Sequence, residues 1–126
     1  MKQRVITFIT LVSMFFQFNA VSKAAPVTQK GEAAIITKMT QKLAAAEKAF
    51  KLAPKDSVVK GEYIRKSMAL ANYVLDAQYL SPKEKYPRSL RLYRAVLKVD
   101  PKNKDAKLKR DTIERIYKQM GRPIPK

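Results

Sequence analysis

The stretch YPRSLRLYRAVLKVDPKNKDAK, residues 86–107, decides how the chain is read. Leu90, Tyr93, Val96 and Leu97 recur at helical spacing, so one side of a helix from 87 to about 99 is set for burial. Arg88, Arg91, Arg94 and Lys98 lie off that stripe. Pro101 ends the helix, and Asn103 supplies an N-cap for the next one. Guanidinium groups in such a row can follow phosphates, yet like charges at this spacing cost only tenths of a kcal/mol in water, so a solvated outer face is the preferred reading.

Working outward, four helices account for the chain. Ile36, Met39, Leu43, Ala46 and Phe50 form one stripe over 32–52, which Pro54 terminates. Asp56 or Ser57 caps a second helix, 58 to about 80, with two adjacent stripes. Val59, Tyr63, Leu70 and Val74 make the first, and Ile64, Met68, Ala71 and Leu75 the second, so this helix needs neighbours on two sides. SPKEKYP, 81–87, reads as a break, with Pro87 opening the third helix. A fourth helix, from about 104 to 120, has Ala106, Ile113, Ile116, Tyr117 and Met120 on its apolar side, places Asp111 four residues before Arg115 in the favourable order for an ion pair, and stops at Gly121 in the left-handed region. No segment alternates as a strand does. The expected fold is all-α, about four antiparallel helices.

Two segments of the chain repeat. AEKAFKLAPKD at 46–56 aligns without a gap on YRAVLKVDPKN at 93–103, with the prolines in register. The second copy resembles the closing helix of a tetratricopeptide repeat in Tyr93, Val96, Leu97, Asp100 and Pro101, and counting back places Tyr73, Ala77 and Leu80 at that repeat's aromatic and small-residue sites. The prolines stand 47 residues apart, against about 34 in a regular repeat. At repeat spacing the fourth helix would bury charged residues, so it reads as a polar closing cap. With the ending IYKQMGRPIPK, the chain is similar to small exported tetratricopeptide-like proteins of bacteria, over 42–126 loosely and 86–103 well. The resemblance implies degenerate helical hairpins whose first helices line a partner-binding groove, here Val74 and Gln78 with Leu108, Thr112 and Arg115.

The N-terminus has the anatomy of a secretory signal peptide, 1–24: Lys2 and Arg4, the apolar run VITFITLVSMFF, then small residues before Ala24, the expected cleavage point. An uncleaved anchor is the alternative. The helical domain then spans 25–121, and 122–126 is an extended tail. Beyond Ala24 there are 24 basic residues against 10 acidic ones, a net charge of +14, of which residues 82–126 hold +10. That field favours acidic partners. Lys102, Lys104, Lys107, Lys109 and Arg110 form the densest polyanion patch, without the aromatic platforms that read bases, and export disfavours nucleic acid.

The chain has no Cys and no His, which removes disulfides, thiolate chemistry, the usual neutral-pH base and the common zinc sites. No glycine-rich phosphate loop or paired carboxylates stand out. The six tyrosines sit at helical spacing and read as core residues with a polar tip. The expectation is a non-enzymatic protein-binding module without a cofactor, an adaptor or assembly factor that is periplasmic or secreted. The alternative is a cationic protein that attaches to anionic lipid or envelope polymer.

Overall fold

The computed structural model describes residues 28–126, so the expected leader and its Ala24 junction lie outside the described residues. Four helices follow in order: α1 (Gln29–Leu52), α2 (Ser57–Asp76), α3 (Pro82–Val99) and α4 (Lys104–Gln119), with no strand among the described residues. Each helix packs on its successor across a link of four or five residues. Short links between packed helices make neighbours antiparallel.

The two stripes of α2 divide the core. Leu70 and Val74, with Tyr63 alongside, face Ile36 and Leu43 of α1. Ala71, with Ile64, Met68 and Leu75, faces Leu90, Tyr93 and Val96 of α3 and Ala106, Ile113 and Tyr117 of α4. Phe50 and Tyr63 stack with ring centroids 5.1 Å apart and so close the far end of the α1–α2 contact. Between α2 and α3 the backbones meet over small residues. Ser89 Oγ donates to the Ala71 carbonyl at 3.0 Å, and the Tyr93 hydroxyl donates to Asn72 Oδ1 at 2.6 Å. Burial of that hydroxyl pushes its pKa up, with Asp105 and Asp76 adding to the effect.

The helix ends differ from expectation in two places. α2 stops at Asp76, not near 80, and α3 begins at Pro82, not 87. The segment SPKEKYP is therefore the start of a helix: Pro82 takes the first position, and the Glu84 carboxylate accepts from the Ser81 backbone N–H at 3.0 Å and the Ser81 hydroxyl at 2.7 Å. Those two bonds hold the Glu84 carboxyl below its ordinary pKa. Pro87 sits inside α3, where the carbonyl four residues earlier belongs to exposed Lys83 and stays open to water. The early turn also moves Ala77 and Leu80 out of α2. Both still pack with the α1–α2 cluster, from the 77–81 link.

The remaining caps follow the sequence. Asp56 accepts from the N–H groups of Val58 and Val59, and Asn103 from that of Ala106. Gly121 has φ 63°, with Gly121 N–H bonded to the Lys118 carbonyl and Arg122 N–H to that of Tyr117, the two bonds of a Schellman stop. Residues 122–126 are irregular but not free: Ile124 packs on the α3–α4 cluster, and Arg94 donates to the Pro125 carbonyl at 2.6 Å.

Candidate functional site

Residues from three helices meet in a groove of about 360 Å³. α2 contributes Leu75, α3 contributes Lys85 and Tyr86, and α4 contributes Leu108, Lys109, Thr112, Ile113 and Ile116. The groove exists because α2 ends early and α3 starts early, which brings the first turns of α3 beside the outer side of α4. Ile113 is 1% exposed and forms the floor, whereas Leu108 is 62% exposed at the edge. Tyr86 is fixed edge-on against Tyr117, with centroids 6.5 Å apart. The two lysines are the charged members of an otherwise apolar lining. Thr112 offers little polarity, because its hydroxyl already donates to the Leu108 carbonyl at 2.8 Å.

Of the five residues expected to line a groove, Leu108 and Thr112 stand together in this one, and Lys109 of the expected polyanion patch joins them. Val74 does not. It is fully buried against α1, because one residue along a helix turns the side chain by about 100°, and the groove takes Leu75 instead. Gln78 lies in the link after α2, with its side-chain amide donating to the Asp76 carbonyl, and Arg115 is exposed on α4 outside the lining. Lys85 and Tyr86 are not legible as groove residues in the sequence, because the two prolines and three charges of 81–87 give that segment the pattern of a loop.

The polyanion patch also divides. Lys102, Lys104 and Lys107 are exposed, but Arg110 is held by Asp111 at 2.7 Å. Asp111 therefore pairs with its neighbour and not with Arg115. The arginine row on α3 is not a uniform solvated face either. Arg88 donates to Thr40 Oγ1 on α1, and Arg94 pairs with Glu114 on α4 at 2.9 Å, so two of its members link helices.

None of the six tyrosines is exposed. Among the described residues no three acidic side chains converge to hold a metal ion, and no helix is long and apolar enough to cross a membrane. No family model, curated protein or solved structure matches the chain.

Proposed function

We propose that the protein is a non-enzymatic interaction module, exported to the cell envelope or beyond, that captures a segment of an acidic partner protein in the groove between α2, α3 and α4. One observation carries the reading: an apolar lining, with Leu108 left exposed at its edge, is bordered by Lys85 and Lys109. A groove of this size takes the anchor side chains of a peptide segment better than a folded surface. The net charge of +17 over the whole chain draws an acidic segment toward it, and the apolar contacts then retain it. The tetratricopeptide-like resemblance supports the same role through the first helices of its hairpins. In that setting α4 serves as both cap and wall.

Peptide display against the chain tests this. Selected peptides should pair apolar anchors with acidic flanks, shift the NMR signals of Leu75, Tyr86, Leu108 and Ile116, and lose binding on Leu108→Glu while the fold is retained. Peptides that bind without moving those signals, or binding that survives Leu108→Glu, would sink the proposal.

A further inference from the structure

We infer that the end of the array formed by the α1–α2 and α3–α4 links docks on anionic lipid, with Leu52 and Val58 entering the bilayer interface. This inference is independent of the groove. Leu52 is 79% exposed and Val58 78%, the two most exposed large apolar side chains among the described residues. They flank the 53–56 link, one closing α1 and the other opening α2. Neither belongs to a core cluster, and neither lines the groove between α2, α3 and α4.

The surrounding charge selects the occupant. In an antiparallel array the 53–56 and 100–103 links lie at the same end. Lys48, Lys55, Lys102, Lys104 and Lys107 are exposed there and form no ion pair among the described residues. Of the nearby acidic groups, Asp105 is exposed and makes no ion pair among the described residues, and the other three are engaged. Glu47 holds Lys51 at 2.8 Å, Asp56 caps α2, and Asp100 accepts from the Asn103 side chain.

Apolar side chains ringed by lysines match the anionic headgroup region, where the apolar tips reach the acyl boundary and the ammonium groups stay at headgroup level. A protein partner would need a cavity shaped to this protruding turn. A fluid bilayer deforms around it. The expected residues 1–24 are a poor occupant, because they carry Lys2, Arg4 and Lys23 and no acidic residue.

The chain contains no Trp, so a single introduced one reports its own site. Leu52→Trp replaces an exposed side chain, and Gln119→Trp places the same probe at the opposite end of the array. Both are made in the full chain, whose apolar N-terminal run can bind vesicles by itself; the local emission separates the two effects.

With vesicles of phosphatidylglycerol and phosphatidylcholine, Leu52→Trp emission should shift to the blue and be quenched by brominated acyl chains, while Gln119→Trp emission stays unchanged. Replacing Lys55 or Lys102 by Gln in the Leu52→Trp chain should raise the vesicle concentration for half the shift by about fivefold per lysine. An unshifted Leu52→Trp, equal shifts from both probes, or the same response to phosphatidylcholine alone would overturn the inference.

Discussion

Gly61 and Gly121 show how one residue type has opposite effects in two backbone settings. Gly61 lies inside α2 with open space where a Cβ would stand, so Gly61→Ala removes backbone freedom from the unfolded chain without a clash. It should stabilise the fold by about 0.5–1 kcal/mol in denaturant titration. Gly121 has equal space but φ +63°, and Gly121→Ala should cost about 1–2 kcal/mol from backbone strain alone. Ser67 poses a different question, since its Oγ is buried without a hydrogen-bond partner, unlike that of Ser89. Ser67→Ala should raise stability by about 1 kcal/mol, and Ser89→Ala should lower it by a similar amount, measured by the same titration. A loss on Ser67→Ala would mean that the hydroxyl has a partner in solution.

The helices themselves were largely legible in the sequence, because apolar spacing repeats several times in each and averages over local noise. The two stripes of α2 were separated correctly, and they became the two halves of the core. What failed was the junction of α2 and α3, where a single contact decides. Two prolines in seven residues read as a break, but Ser81 and Glu84 close a helix start around Pro82, and Pro87 leaves only an exposed carbonyl without its bond. That error hid Lys85 and Tyr86, so the candidate groove was visible from its α4 side alone. The contacts of the tail are not legible in the sequence for a related reason, since Ile124 and the Pro125 carbonyl find partners remote in sequence. Arg94→Met keeps the aliphatic stem but removes the guanidinium that joins Pro125 and Glu114. The Ile124 methyl NMR signals should then move toward random-coil positions, with about 1 kcal/mol lost from overall stability. Unmoved signals would assign the tail's position to Ile124 packing alone.

At the scale of the molecule, the order of packing governs how the fold opens. α1 rests on α2 through Ile36, Leu43 and the Phe50–Tyr63 stack, and its half of the core meets α3 through the Arg88–Thr40 hydrogen bond and through Leu92, which packs on both clusters. The second half of the core, shared by α2, α3 and α4, contains no α1 residue. A linear array of this kind opens from its ends, at a free energy set by the interface that is broken and not by the whole fold. Leu43→Ala should weaken the α1 interface by about 2–4 kcal/mol. Amide exchange within α1 should then accelerate by about two orders of magnitude, since each 1.4 kcal/mol is tenfold in an opening equilibrium. The interior amides of α3 should keep their rates, because Leu90, Tyr93 and Val96 remain covered by α2 and α4. Equal acceleration in α1 and α3 would instead show one cooperative unit, with α2 transmitting the loss on one stripe to the other. The two outcomes separate because Leu43 packs on one stripe of α2 and Leu90, Tyr93 and Val96 on the other, with Leu92 as the α3 side chain that meets both clusters.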